Sequence, residues 1–189
     1  MSSLQEKKAA FTRDLIMQSA IELAQECDIG DMSFKRVSEN ANISERTMFR
    51  YYTTRDAFLD ELTLRLHALL ELPALPEDAS LLSGFLVDLY EKLDAQPRIV
   101  EVLFTSDLFD RVLHTTAKDR YLQLITLLEK SYPHCSNDMI KKSAANIRYI
   151  LSASSWRYYR LAFGFDLKTS IESADMLVSQ SLLQLKQGG

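Results

Sequence analysis

Between residues 33 and 55 the chain concentrates side chains that can donate hydrogen bonds and pair with anions. This stretch holds five basic residues against two acidic ones, a local charge of +3, whereas the whole chain of 189 residues has a net charge of −4. Guanidinium groups bind phosphate oxygens and guanine edges through paired N–H donors, and hydroxyl groups bind phosphates or bases. The overall negative charge argues against binding through bulk charge. The chemistry that this stretch favours is therefore local recognition of nucleic acid.

Two short amphipathic runs, 34–41 and 45–52, have to position these groups, and a break of three residues separates them. Ser33 and Ser44 each precede a run, where a serine oxygen can accept a free backbone N–H of the first helical turn. Asn42 suits the left-handed conformation of a tight turn. The pattern predicts a helix-turn-helix with Phe34, Val37, Ala41, Ile43 and Met48 facing inward. By periodicity alone, a helical hairpin with a solvated basic face is an equally good interpretation.

The run from Ile43 to Leu59, IS-x-x-TMFRYYTTRDAFL, resembles the helix-turn-helix of the TetR family of one-component transcriptional regulators. The residues that match at fixed spacing are Ile43, Ser44, Thr47, Met48, Phe49, Tyr51, Tyr52 and Thr54, with Arg55 in place of the family's lysine. Asn42 departs from the family's turn glycine, and Thr53 departs from its common proline. The resemblance implies a DNA-binding domain with an N-terminal arm over 1–55 and a helical effector-binding and dimerisation domain over 56–189.

In such a module the second helix enters the major groove with its N-terminal residues nearest the base edges. Arg46 is suited to guanine through two hydrogen bonds, and Thr47 to a phosphate or a thymine methyl group. Glu45 could accept from a cytosine amino group, or simply suit a helix N-terminus without any base contact. Phe49 could meet a base step or sugar, or be partly buried.

Phosphate contacts, which fix register rather than sequence, are expected from Arg50, Tyr51 and Arg55. Ser33 or Lys35, on the first helix of the pair, is expected at the backbone of the opposite strand. The complete set of predicted DNA-binding residues is Ser33, Lys35, Ser44, Glu45, Arg46, Thr47, Phe49, Arg50, Tyr51 and Arg55.

Helical periodicity continues along the rest of the chain and predicts an all-α fold of about nine helices with no strand. Their ranges are 9–27, 34–41, 45–52, 56–72, 80–95, 97–105, 107–132, 138–163 and 170–186. The first three helices are expected to form the DNA-binding domain, the first of them packing through a stripe of Phe11, Leu15, Ser19, Leu23 and Cys27. No run approaches the roughly 18–20 apolar residues of a membrane helix, and no signal-peptide core opens the chain. We therefore expect a cytoplasmic protein without a membrane partner.

The last two predicted helices carry sustained apolar stripes. The TetR resemblance implies that they pair with their mates as a four-helix bundle, giving a homodimer that reads a palindromic operator in double-stranded DNA. The alternative is that these stripes pack only within one subunit. The predicted interface residues are Leu151, Trp156, Ala174, Leu177, Val178, Ser181, Leu182 and Leu185.

An aromatic run near residue 160 is interleaved with arginines. It could line a ligand pocket in which an arginine pairs with an anion, or it could be core whose charges reach water. Aromatic residues of neighbouring helices could line the same cavity, which would favour an apolar or aromatic small molecule. The predicted ligand-binding residues are Phe85, Tyr90, Phe104, Phe109, Tyr121, Trp156, Tyr159 and Arg160. The family resemblance implies that such an effector releases a repressor from its operator.

No residue pattern points to catalysis. The three histidines, His67, His114 and His134, have no companion at metal-ligand spacing, and the two cysteines stand far apart. The chain lacks a phosphate-cradling glycine loop and the GxSxG and HExxH motifs. We therefore expect no enzyme, no cofactor and no metal. The alternative function from another class is an all-helical protein-interaction adaptor that has lost DNA binding, which the net charge leaves open.

Overall fold

The computed structural model describes residues 3–187, except for the side chains of residues 114–116, so His114 lies outside the described side chains. Over this part of the chain there are ten α-helices and no strand, which confirms the all-α prediction. The helices are α1 (Leu4–Glu26), α2 (Phe34–Asn40), α3 (Glu45–Tyr51), α4 (Arg55–Leu69), α5 (Leu82–Ala95), α6 (Pro97–Leu103), α7 (Ser106–Ser131), α8 (Asn137–Ile150), α9 (Ala153–Arg157) and α10 (Leu167–Gln187). Two 3₁₀ turns, Ile29–Asp31 and Ala79–Leu81, and a π-helical turn, Tyr158–Ala162, complete the secondary structure.

The helices divide into two compact units. The first unit comprises the chain up to Leu70 together with Arg98–Val112, and the second comprises Glu71–Pro97 together with the chain from Leu113 onward. The predicted boundary after Arg55 falls inside the first unit, because α4 packs against α1 there. The first turns of α7 also belong to the first unit, whereas the remainder of α7 belongs to the second.

In the first unit, α1 begins five residues earlier than predicted. Ser3 accepts the Glu6 backbone N–H and donates its own N–H to the Glu6 carboxylate, a capping box that satisfies two N–H groups of the helix end. The predicted stripe is wrong in its first half, since Phe11 is 71% exposed. Residues four apart rotate by about 40° per step around a helix, so a long i, i+4 series drifts off one face. The buried face consists of Ile16, Met17, Ser19, Ala20, Leu23 and Ala24.

In the second unit, α10 packs against α5 and α8. The single helix predicted over 138–163 is wrong, because α8 ends at Ile150 and Ser152 caps a new helix by accepting the Ser155 backbone N–H at 3.3 Å. The Ser155 hydroxyl donates to the Ile150 carbonyl oxygen at 2.5 Å. Serine side chains that bond to nearby backbone in this way compete with the helical ladder, which explains the break.

Three further findings concern the described residues only. None of their helices is long and apolar enough to span a membrane. No group of three or more histidine, cysteine, aspartate or glutamate side chains is arranged to hold a metal ion. Cys27 and Cys135 are not in a disulfide, and their thiols donate to the carbonyl oxygens of Leu23 and Leu185.

Candidate nucleic-acid interface and effector cavity

Two serine caps set the ends of the helix-turn-helix, as predicted. The Ser33 hydroxyl accepts the Arg36 backbone N–H at 3.1 Å and so begins α2. The Ser44 hydroxyl accepts the Thr47 backbone N–H at 3.2 Å and so begins α3. Each cap satisfies one of the four backbone donors that a helix leaves open at its N-terminus.

The turn between α2 and α3 depends on Asn42, whose φ of 52° lies in the left-handed region, as predicted. The next residue, Ile43, donates its backbone N–H to the Ser38 carbonyl oxygen at 2.9 Å and closes the turn. Val37 of α2 and Met48 of α3 are fully buried, so the two helices are held by core contacts as well as by the turn. The remaining surface of α3 is thereby left on the outside.

The outer face of α3 is the candidate nucleic-acid interface. Glu45, Arg46 and Arg50 are exposed on it. Within the described residues, neither Arg46 nor Arg50 makes an ion pair with a carboxylate, and the Arg50 guanidinium lies 5.3 Å from the centre of the Tyr51 ring. Unpaired guanidinium groups on an exposed helix are available to phosphates and base edges.

The other predicted residues of α2 and α3 are more constrained. Lys35 is exposed and lies 3.9 Å from Glu39 on the same helix. Thr47 is half-buried, and its hydroxyl lies 2.9 Å from the Ser44 hydroxyl. Phe49 is 52% exposed and packs edge-on against the Phe34 ring at 5.2 Å, so half of this ring remains available.

Tyr51 is half-buried at the end of α3. A hydrogen bond with the Thr12 side chain of α1 lowers the pKa of Tyr51, and Arg50 lowers it further, whereas burial opposes both effects. This contact joins α1 to the exposed end of α3.

Arg55 has a different place from the one predicted. Its guanidinium donates to the carbonyl oxygens of Met32 at 2.6 Å and Ile29 at 2.7 Å, and to the Asp107 carboxylate at 3.2 Å. These bonds satisfy carbonyls of the connection between α1 and α2 and turn the terminal nitrogens inward. These bonds give Arg55 a positioning role within the subunit, and the phosphate contact predicted for it stays a prediction.

A part-buried polar network lies behind α3 and was not predicted from the sequence. The Tyr52 hydroxyl donates to Glu61 of α4 at 2.8 Å, and Arg13 of α1 donates to the same carboxylate at 2.7 Å and to the Tyr52 oxygen at 3.3 Å. Burial, followed by the Glu61 bond, raises the pKa of Tyr52 to about 12. Residues of α1 and α4 thus meet at Tyr52, the residue that follows α3. Their separations of 39, 48 and 9 residues give no local sequence signal.

The predicted ligand-binding residues do not form one lining. Tyr90 and Trp156 are fully buried, and the Tyr90 hydroxyl lies 2.7 Å from the Ser155 hydroxyl. Arg160 forms an ion pair within the chain, because it donates to the Asp94 carboxylate at 2.5 Å. It also donates to the Phe165 carbonyl oxygen. The Tyr159 ring stacks on the Phe165 ring, with 6.2 Å between the ring centres. These four side chains therefore belong to the core and its edge, which is the alternative left open by the sequence.

The remaining members of that predicted set lie apart. Phe104 and Phe109 belong to the first unit, where their rings lie 5.1 Å apart. The Tyr121 hydroxyl donates to the Lys141 carbonyl oxygen at 3.4 Å. Phe85 does line a cavity of about 350 Å³ in the second unit. The other residues that line this cavity are Pro73, Ala74, Leu75, Asp119, Arg120, Gln123, Leu124, Arg148 and Leu151.

Most of the predicted interface residues are buried inside one subunit. Leu151, Trp156, Ala174, Val178, Leu182 and Leu185 are covered by the core of the second unit, in which α10 packs on α5 and α8. For these six the structure shows packing within one subunit, and their predicted place in a dimer interface stays a prediction. Leu177 is 42% exposed and Ser181 is half-buried, and both line a groove with Tyr149 of α8.

No protein-family model matches this chain, and no curated protein matches it. Among solved structures, its fold is similar to that of the dihydroxyacetone kinase operon activator DhaS, with a TM-score of 0.52 and 19% sequence identity. The similarity covers 94% of this chain and 97% of that chain. At this identity the likeness shows the fold, and the chain therefore shares an all-helical fold over nearly its whole length with a protein named as an operon activator.

Proposed function

We propose that this chain is a sequence-specific, DNA-binding transcriptional regulator of the TetR type, with no enzymatic activity. The observation that carries the proposal is the outer face of α3, where Arg46 and Arg50 are exposed and have no carboxylate partner among the described residues. The helix that carries both arginines, α3, is held in place by the Ser44 cap and by the buried Met48 side chain. A rigid helix with unpaired guanidinium groups is suited to the major groove. An adaptor that had lost DNA binding would have no need of this arrangement.

The proposed contacts divide by chemistry. Arg46 reads guanine, with Glu45 and Thr47 beside it at the N-terminal end of α3. Arg50 and Tyr51 bind phosphate, and Ser33, Lys35, Ser44 and Phe49 complete the surface at the sugar–phosphate backbone. Arg55 is left out of this set because its guanidinium bonds to the carbonyls of Ile29 and Met32.

The functional form in this proposal is a homodimer on a palindromic operator. A helix of seven residues reaches only a few base pairs, so two copies whose half-sites lie about 34 Å apart are needed for specificity. The interface that we propose is the groove between α8 and α10, where Leu177 and Ser181 lie beside Tyr149, which is 58% exposed. A two-fold axis through this groove would cover these apolar side chains on both subunits at once.

We also propose that the protein is a repressor that a small molecule releases from DNA. Support comes from α7, which contributes to both units. Near its start, Arg111 pairs with Asp56 at 2.6 Å and with Asp60, both on α4, and further along it Arg120 and Leu124 line the cavity. A ligand that shifts the lining residues of α7 would act on the same helix that holds α4. By linkage, ligand and operator then weaken each other's binding by the same factor.

The test is a binding assay on DNA from the chain's own upstream region, set against a scrambled fragment of equal length. We expect saturable binding that prefers the upstream fragment by more than tenfold and weakens steeply with salt. The control variant is Lys118→Ala, which removes one exposed positive charge from α7 in the second unit. It should bind both fragments with the affinities of the wild type. Equal affinity for both fragments, or none for either, would favour the adaptor instead.

A further inference from the structure

The cavity of the second unit contains two arginines at one place. Arg120 comes from α7 and Arg148 from α8, and both are half-buried in the cavity lining. The Arg148 guanidinium donates to the Leu151 carbonyl oxygen at 3.2 Å, whereas its Nε is buried and has no partner. A buried donor without a partner is uncommon in folded proteins, since each one costs free energy.

The charges of these two arginines are not balanced within the described residues. Neither forms an ion pair within 4.0 Å, and Asp119, which also lines the cavity, is exposed. Burial lowers the pKa of Arg120, and burial together with the nearby charge of Arg120 lowers the pKa of Arg148. Guanidinium groups nevertheless remain protonated in proteins. Two like charges held in a half-buried place without a counterion destabilise the folded chain.

The rest of the cavity is largely apolar. Leu75, Phe85, Leu124 and Leu151 line it, and Leu124, Leu151 and Phe85 are buried core residues. The volume of about 350 Å³ falls within the range of small-molecule sites in proteins. The cavity therefore combines cationic hydrogen-bond donors with an apolar wall.

We propose that this cavity binds an amphiphilic anion, whose carboxylate or phosphate group pairs with Arg120 and Arg148 and whose hydrocarbon part lies against Leu75, Phe85 and Leu124. A planar guanidinium can give two parallel hydrogen bonds to either kind of acidic group. The site differs from the aromatic one predicted from sequence, because the arginine of that prediction, Arg160, is already paired with Asp94.

Binding of the anion stands on the geometry of the cavity alone. Its role as the molecule that releases the repressor rests on the proposed function. The residues that connect the two are Asp119, Arg120, Gln123 and Leu124, since all four belong to α7 and line the cavity. An anion between Arg120 and Arg148 would draw α7 and α8 together at this point.

The experiment measures the affinity of the full chain, without DNA, for octanoate, octyl phosphate, inorganic phosphate and octanol by calorimetry. We expect at least one of the two octyl anions to bind more than about tenfold more tightly than either octanol or inorganic phosphate. The two octyl anions distinguish a carboxylate ligand from a phosphate ester. Octanol binding as tightly as the anions, or no binding of either anion, would overturn the proposal.

The variants are Arg120→Met and Arg148→Met, which keep an unbranched, flexible side chain and remove the guanidinium charge. Each should weaken binding of the preferred anion by about tenfold or more. Arg120→Met should also raise the melting temperature of the ligand-free protein, because an unbalanced charge has gone, whereas Arg148→Met also loses the hydrogen bond to the Leu151 carbonyl oxygen. Lys118→Met is the matched control on the same helix, and its affinity for the anion should equal that of the wild type. Unchanged affinity in both arginine variants would refute the site. Anion binding without any DNA binding would leave the site standing and reject the proposed function.

Discussion

Arg55 and Asp107 form an ion pair of 3.2 Å within the first unit, joining the first residue of α4 to the start of α7. The same guanidinium holds two carbonyls of the connection after α1. This arginine stands where the TetR-type motif has a basic residue, so the pattern alone suggested a phosphate contact. Its geometry instead makes it a clamp between α4, α7 and the 3₁₀ turn.

Arg55→Ala should therefore lower the free energy of unfolding and leave the number of phosphate contacts with DNA unchanged. Three charge-assisted hydrogen bonds are lost, although the Ile29 carbonyl oxygen still accepts the Met32 backbone N–H, so we expect a loss of about 2–4 kcal/mol in the free energy of unfolding. Urea denaturation measures this loss. The dependence of operator affinity on salt should keep the wild-type slope at a temperature where the variant is folded. A shallower slope with an unchanged free energy of unfolding would show that Arg55 does contact a phosphate.

Arg50→Ala is the complementary substitution. Arg50 is exposed and has no carboxylate partner in the described part of the chain, so its removal should leave the free energy of unfolding within about 0.5 kcal/mol of the wild type. If Arg50 neutralises a phosphate, affinity falls for operator and non-specific DNA alike, and the salt slope decreases by about one. Fluorescence anisotropy over a series of salt concentrations gives both values. An unaltered slope would remove Arg50 from the phosphate contacts.

Arg46→Ala should change specificity rather than general affinity. A bidentate contact with guanine contributes about 1–3 kcal/mol of discrimination at a single base pair. Selection of binding sites from a random DNA library should then give a motif in which one position per half-site has lost its preference. Arg36→Ala, which removes an exposed arginine of α2 outside the predicted contacts, is the matched control. If Arg46→Ala returns the wild-type motif, this arginine does not read a base.

The sequence allowed prediction of the helix-turn-helix because its determinants are local. Ser33, Ser44 and Asn42 act within three or four residues of their own positions, so capping and turn rules suffice to place them. Arg55 shows the limit of this approach. Its partners Ile29, Met32 and Asp107 are 26, 23 and 52 residues away, and no spacing rule connects them.

The second unit shows the same limit in another form. Periodicity correctly identified Ala174, Val178, Leu182 and Leu185 as an apolar face of α10, but not what covers that face. A buried stripe has the same pattern whether it packs on its own subunit or on a partner. The paired arginines of the cavity were missed because residues 120 and 148 lie on different helices, and only the fold brings them together.

The hydroxyl of Tyr52 makes the stability of the first unit depend on pH. Its pKa is raised from 10.0 to about 12 by burial and by the bond to Glu61, with Arg13 opposing the change. Because the folded pKa exceeds the unfolded one, this contribution is complete below about pH 10 and is lost as pH rises from 10 towards 12. Urea denaturation at pH 8.5 and at pH 11 should show that the free energy of unfolding falls more between these two pH values for the wild type than for Tyr52→Phe. Tyr158→Phe, at an exposed tyrosine outside the groove between α8 and α10, should behave like the wild type.

The groove between α8 and α10 gives the most direct test of the dimer. Leu177 lines it and is exposed in the single subunit, so Leu177→Glu should leave the fold intact. In a two-fold dimer the substitution occurs twice in one interface and places two carboxylates in an apolar contact, which should raise the dissociation constant of the dimer by ~100-fold or more. Sedimentation equilibrium measures this constant. Leu64→Glu is the matched control, because Leu64 is an exposed leucine on α4, outside both helices, with 57% of its surface exposed against 42% for Leu177. A dimer of unchanged strength in Leu177→Glu would place the two-fold contact elsewhere. Weaker association with no loss of operator affinity would show that one subunit suffices to read the DNA.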